Sequence, residues 1–180
     1  MPSVPHDPAT VRTVRVRASF LVAVAEFRAD RDFPVPWYVT DVPPAALTDE
    51  PGFAAYVRRL LAEPREESRR PAGFVPMTTL WWVEQDRFLG RLAIRHRLTP
   101  ALREAGGHIG YDVRPSARRR GHARAMLAAA LPIARALGID EALLTCDETN
   151  VASRRVIEAN GGRYLDTIGP KRRYQVPTSG

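Results

Sequence analysis

Cysteine is nearly absent. Cys146 is the only one in 180 residues, which excludes an intrachain disulfide framework. Long apolar runs are missing as well, and none approaches the ~20 residues a membrane-spanning helix needs. The N-terminus has neither the basic start nor the apolar stretch of a secretory signal, so a cytoplasmic protein is expected. Histidine is scarce. His6, His96, His108 and His122 share no metal-ligand spacing with one another or with Cys146, and no metal site is expected. Internal repeats and linker-like stretches are absent too. The length suits a single domain, residues 11–180, behind a loose proline-rich segment at residues 1–10.

What the chain does have is positive charge. The formal net charge is +7, and arginine dominates the basic set. That balance suits an anionic ligand such as a nucleotide-bearing cofactor, and it would suit nucleic acid as well. Apolar residues at 44% and charged residues at 26% keep the composition in the globular range.

Periodicity sets out the elements. Residues 11–16 alternate like an edge strand, and residues 18–27 read as a helix with Leu21, Val24 and Ala25 on one face. Residues 30–51 hold five prolines and no period, a long loop for a compact domain. Its Phe33, Trp37 and Tyr38 suit either a substrate mouth or packing on the core. Thr48 or Asp49 can cap a helix at residues 53–62. Strands follow at 75–84 and 87–98 around a Gln85-Asp86 turn, the second placing Phe88, Leu92, Ile94 and Leu98 on one face. Residues 108–113 form the next strand. A helix at 117–137 carries the stripe Ala123, Met126, Leu127, Ala130, Leu131, Ala134 and Leu137, in phase through Pro132. A short strand at 142–146, a helix at 151–159 and a closing hairpin at 163–167 and 171–176 complete the chain. The order β-α-α-β-β-β-α-β-α-β-β describes an α+β fold, a mixed, mostly antiparallel sheet flanked by helices.

The rest is organised around residues 110–123, Gly-Tyr-Asp-Val-Arg-Pro-Ser-Ala-Arg-Arg-Arg-Gly-His-Ala. Pro115 stops the strand because it has no N–H for a ladder, and Ser116 can cap the helix that follows. Amides in a first helical turn have no intrahelical partner and sit at the positive end of the helix dipole. Gly121 lets a ligand approach the backbone with no Cβ in the way. Strand, turn and helix start therefore make a phosphate cradle.

Arg118-x-x-Gly121-x-Ala123 resembles the Arg/Gln-x-x-Gly-x-Gly/Ala signature of the GNAT N-acetyltransferase superfamily, and the element signals from Phe88 to Gly162 follow that family's order. The resemblance implies the GNAT fold, with strands 108–113 and 142–146 splayed and pantetheine in the gap. It also implies acetyl-coenzyme A as cosubstrate, and acetyl transfer to a primary amine of a small molecule or peptide by direct attack in a ternary complex. The cofactor residues it implies are Val113, Arg118, Arg119, Arg120, Gly121, His122, Ala123, Asn150 and Ser153. Asn150 can equally be a helix cap. Many relatives are dimers, so a homodimer is in view. Where many relatives carry a tyrosine seven residues after the Asn, as proposed acid for the thiolate, this chain has Ile157.

Acetyl transfer requires deprotonating an amine whose ordinary pKa is about 10.4. His108 occupies the place where several relatives carry a glutamate base, and imidazole titrates in a suitable range. Asp112 is the second candidate, as base or as anchor for the incoming ammonium. Cys146, on a buried strand without an activating neighbour, reads as core. Two rival readings accompany this one: a nucleic-acid-binding module, and a cofactor-binding relative without activity. The small residues Gly121 and Ala123 argue for backbone cradling, because arginine side chains on phosphate need no small residues beside them.

Overall fold

In the computed structural model of the chain, residues 16–40 and 44–179 are described. The N-terminal segment 1–10 lies outside them. Of the strand expected at residues 11–16 only Val16 is described, and it is helical, forming the N-cap of α1 (Arg17–Ala29). The long proline-containing loop is more ordered than its composition suggests. Trp37–Thr40 makes one helical turn, α2, and Pro44–Leu47 a 3-10 turn. Asp49 caps α3 (Glu50–Ala62), its Oδ1 accepting from the Gly52 amide at 2.7 Å.

Two three-stranded antiparallel sheets form the centre. The first has the order β1-β2-β3, from β1 (Met77–Glu84), β2 (Arg87–Arg95) and β3 (Ile109–Val113). Between β2 and β3, Thr99 caps the short helix α4 (Pro100–Glu104). The second sheet has the order β4-β6-β5, from β4 (Glu141–Asp147), β5 (Arg163–Ile168) and β6 (Lys171–Pro177). Helix α5 (His122–Ala136) joins β3 to β4 and runs unbroken through Pro132, and α6 (Val151–Glu158) follows β4.

Alternation sorts the side chains of the first sheet. Leu80, Trp82, Leu92, Ile94 and Ile109 face the α5 stripe of Met126, Leu127, Ala130 and Ala134. That core continues into the second sheet through Leu144, Ile157, Tyr174 and Val176. The opposite face of the first sheet packs on α1 and α3, where Phe20 stacks on Trp81 with centroids 5.0 Å apart. Phe88 belongs to this second cluster and not, as simple alternation has it, with Leu92 and Ile94. A register shift pairs Trp82 with Gly90 but Val83 with Phe88. The extra residue, Leu89, is a bulge that reverses the facing of everything before it.

No ladder joins β3 to β4. They meet where the His108 amide donates to Leu143 O at 2.6 Å and the Leu143 amide donates to His108 Nδ1 at 2.9 Å, beside a bond from the Gly106 amide to Thr145 Oγ1 at 2.9 Å. Gly107 makes that approach possible: its φ is +61°, and a Cβ there would stand 2.3 Å from Leu143 O. Three residues further along each strand, Tyr111 is within electrostatic reach of Cys146. The two strands therefore run in the same direction from a closed end at His108 and are unbonded beyond it.

Candidate active site

The helix expected from residue 117 begins five residues later. Ser116 does not cap it: the Ser116 amide and hydroxyl both donate to Glu26, each at 3.0 Å. Glu26 also binds Arg114, which is 4% exposed and whose Nη1 donates to Phe88 O at 3.0 Å. Burial pushes the Glu26 carboxyl up, but the hydrogen bonds from Arg114 and Ser116 outweigh it and hold the group at about 2. This clasp ties α1 to the start of the cradle.

The N-cap of α5 is Gly121, with φ +82° and no side-chain cap. Arg119 is also left-handed, with φ +62°. Among the described residues, no carbonyl or side chain accepts from the amides of residues 119–124. A Cβ on Gly121 would meet nothing within 4 Å. Alternating left-handed residues before an uncapped helix leave a concavity of free N–H groups, an anion nest. Arg119, Arg120 and Arg124 are exposed around it, and His122 accepts from Trp82 Nε1 at 3.2 Å through Nδ1. Arg118 faces away from the nest. Its Nε donates to Val113 O at 3.1 Å, its Nη2 pairs with Asp30 at 2.6 Å, and its guanidinium lies 4.7 Å from the Phe33 ring centre.

The gap between β3 and β4 leads away from this nest. Arg114 N donates to Leu89 O on β2, so by ladder alternation the backbone groups of Tyr111 and Val113 turn outward, into the gap. Across it, Asn150 Oδ1 caps α6 by accepting from Ser153 N at 3.0 Å. The Tyr111 hydroxyl lies 2.9 Å from Ser153 Oγ and 3.3 Å from Ser153 O. Burial raises the Tyr111 phenol well above its ordinary range, with the Ser153 bond opposing, so it keeps its proton. Cys146 also bonds to Ser153, and burial raises its thiol. Ile157 is 1% exposed in the core beneath Gly162. Ile157 therefore offers no hydroxyl here, and the Tyr111–Ser153 pair lies at the start of α6.

His108 and Asp112 share a face of β3 with Gly110, opposite to Tyr111. His108 Nδ1 is taken by the Leu143 amide, which fixes the neutral ring with its proton on Nε2. Burial, then Arg103 and Arg95, lower its pKa. Asp112 pairs in register with Arg91. Burial pushes its carboxyl up to about 6 against the pull of Arg91 and Arg118. Arg91 itself is 2% exposed, lies 4.7 and 4.6 Å from the ring centres of Trp37 and Tyr38, and donates to Thr79 Oγ1 at 3.4 Å. Arg91 and Tyr111 were not legible in the sequence as site residues, whereas Trp37 stood among the aromatics offered for a substrate mouth. Only the strand register could have found them, by setting Arg91 opposite Asp112.

A family model described as "Acetyltransferase (GNAT) domain" matches residues 14–163. The chain belongs to the GNAT acetyltransferase family. That family carries out acetyl-coenzyme A-dependent acetyl transfer. No curated protein matches the chain by sequence. Among solved structures, the microcin C7 self-immunity acetyltransferase MccE, in complex with acetyl-CoA and AMP, is similar at 10% identity. Its TM-score is 0.60, over 91% of this chain and 88% of that one. Mycobacterium smegmatis RimJ, in complex with a CoA disulfide, is similar at 22% identity and TM-score 0.59, over 91% and 77%. The ribosomal L7/L12 α-N-protein acetyltransferase RimL, in complex with coenzyme A, is similar at 16% identity and TM-score 0.57, over 93% and 92%. These likenesses establish the fold.

The residues present fit the GNAT cosubstrate. Free amides of residues 119–124 and the open space over Gly121 suit a pyrophosphate, and the outward Val113 N–H and Tyr111 backbone suit the amide groups of a pantetheine arm. Among the described residues no group of three His, Cys, Asp or Glu side chains could hold a metal, and no helix is long and apolar enough to cross a membrane.

Proposed function

We propose that this GNAT protein is a cytoplasmic N-acetyltransferase that moves an acetyl group from acetyl-coenzyme A to a primary amine of a small molecule or peptide, by direct attack in a ternary complex. One observation carries the reading: the unpaired gap between β3 and β4 leads to an uncapped α5 N-terminus. Residues 119–124 would hold the pyrophosphate through their amides, with Arg119, Arg120 and Arg124 adding charge from the rim. When bound, acetyl-coenzyme A supplies the activated acetyl thioester. Asp112 accepts the proton of the incoming ammonium. With its carboxyl at about 6, it is ionised at neutral pH yet nearer the amine's range than an ordinary aspartate. His108 holds the closed end of the gap, and its Nδ1 bond to Leu143 disfavours it as the base. The hydroxyls of Ser153 and Tyr111 present protons at the α6 side of the gap, where a leaving thiolate needs them.

The nucleic-acid reading is weaker than the composition suggests, because Arg118 is engaged by Asp30, Val113 and Phe33. Thiol release from acetyl-coenzyme A with a panel of amines tests the proposal. The rate should rise through about pH 6 to a plateau. Asp112→Asn should lower it by about 10²–10⁴-fold and abolish the acidic limb. An unchanged profile in that variant removes Asp112 from the role.

A further inference from the structure

Among the described residues, Arg95 is held by carbonyls alone. It stands on the last residue of β2, and its Nη1 donates to Gly106 O at 3.1 Å and Gly107 O at 3.0 Å. Both acceptors are carbonyls. Among the described residues no carboxylate pairs with Arg95, and its Nε and Nη2 make no hydrogen bond yet are not sealed from solvent. Burial, then the neighbouring Arg91, lower its pKa. A guanidinium this enclosed is held in place by carbonyls, and its charge is left for something else to answer.

Arg95 lines a cavity of about 120 Å³ with Trp37, Phe74, Val75, Met77 and Leu102. The volume admits a carboxylate or phosphate with a few waters, since water takes up about 30 Å³ per molecule. A second cavity of about 220 Å³ adjoins it across Trp37 and Phe74, and its lining adds Arg59, Arg69 and Arg70 together with Glu63. Arg70 also spends its donors on carbonyls, those of Glu66, Glu63 and Arg65. The hollow at Arg95 is thus apolar-walled and cationic, while its neighbour mixes three arginines with one glutamate.

The place of Arg95 relative to β3 gives this charge a use. A Cβ on Gly110 would stand 3.8 Å from Arg95 Nη1. Gly110 lies two residues from Asp112 on the same face of β3, about 7 Å along the strand. Trp37 completes the connection: its ring lies on Arg91, opposite Asp112, and it lines both cavities. We infer that the acceptor of this enzyme carries an anionic group, carboxylate or phosphate, seated on the free Nε and Nη2 of Arg95 while its amine lies at Asp112. A planar fork is suited to either anion. The identity of the amine site rests on the acetyl-transfer reading. Anion binding at Arg95 does not.

Matched acceptors test it: 5-aminopentanoate against 5-aminopentanamide, and 3-aminopropyl phosphate against 3-aminopropanol. Each pair differs in charge and keeps the amine. In the wild type the charged member of at least one pair should show a kcat/KM about tenfold or more above its neutral partner, mainly through KM, as a charge-assisted pair of bonds provides. Which pair responds distinguishes carboxylate from phosphate. In Arg95→Gln the ratio within each pair should fall to about one, and any loss common to both members cancels. Arg95→Lys, which keeps the charge without the fork, should retain a reduced preference. It also carries the test, with the wild type, if the Gln variant does not fold. Calorimetry of 5-aminopentanoate and 3-aminopropyl phosphate on the protein without acetyl-coenzyme A reads anion binding apart from turnover. Binding that Arg95→Gln abolishes, in a protein that acetylates nothing, keeps the anion site and sinks the acetyl-transfer reading. Turnover with equal kcat/KM within both pairs, or a preference that survives Arg95→Gln, overturns the inference and leaves that reading standing.

Discussion

Replacing Glu26 with glutamine should loosen the cradle from behind. The Glu26 carboxylate receives Arg114 Nε at 3.2 Å on each oxygen, and the amide and hydroxyl of Ser116 at 3.0 Å. Arg114 is 4% exposed, so the variant leaves a buried guanidinium with no counter-charge. The carboxyl sits at about 2 in the folded chain against an ordinary 4.5. At about 1.4 kcal/mol per pH unit, the charged clasp stabilises the fold by roughly 3 kcal/mol at neutral pH. Breaking a buried pair from one side costs about 3–5 kcal/mol by experience with other proteins, which agrees. The sign follows from the depressed value. The stabilisation is complete above the unfolded-state value near pH 4.5 and is lost as pH falls from there towards 2. Urea unfolding at a series of pH values measures it. Glu26→Gln should be less stable than wild type by roughly 3 kcal/mol at pH 7, and the difference should shrink through the acid window as Glu26 itself protonates. Affinity for acetyl-coenzyme A should fall too, because one of the two oxygens that hold Ser116 before the nest becomes an NH2 donor. Equal stability at pH 7, or a difference that persists unchanged to pH 2, would refute the clasp.

Three further predictions concern the cradle and the gap. Gly121→Val should lose acetyl-coenzyme A binding by calorimetry and cost about 1–2 kcal/mol of stability from its left-handed φ. Gly138→Val, at φ +81° with equally open space, should cost similar stability and leave affinity alone, and parallel losses of affinity in both would remove the nest assignment. Asn150→Ala should lower stability by roughly 1 kcal/mol for the lost cap and also raise the KM for acetyl-coenzyme A, whereas normal kinetics would reduce Asn150 to a cap. His108 is held neutral by burial, so its contribution to stability is present above about pH 6.5 and declines as pH falls below that. His108→Asn, whose side-chain oxygen can accept from Leu143 N without titrating, should remove that decline from thermal unfolding curves, and a curve of unchanged shape would exclude the clamp.

Much of this protein was determined by local pattern. The strands, the α5 stripe, the caps at Asp49, Thr99 and Asn150, and the Arg118-x-x-Gly121-x-Ala123 cradle all depend on residues close in sequence, whose geometry is set by periodicity, left-handed glycine and unpaired helix amides. Local pattern erred where a distant partner intervened. Ser116 looked like a helix cap because nothing nearby in sequence shows Glu26, ninety residues earlier, which takes both its amide and its hydroxyl. Arg118 read as a phosphate ligand because Asp30 and Phe33 lie in another element. Phe88 changed face because a bulge depends on how β2 pairs with β1, and pairing is a property of two strands. The charge states of the gap also belong to the tertiary structure. Asp112 rises to about 6 only because the fold buries it beside Arg91, and His108 became a clamp only when Gly107 brought β3 against Leu143. The sequence by itself determined what each segment can form. Burial and long-range register, which no window of neighbours contains, decided which of its polar side chains are held inside and which are left facing a ligand.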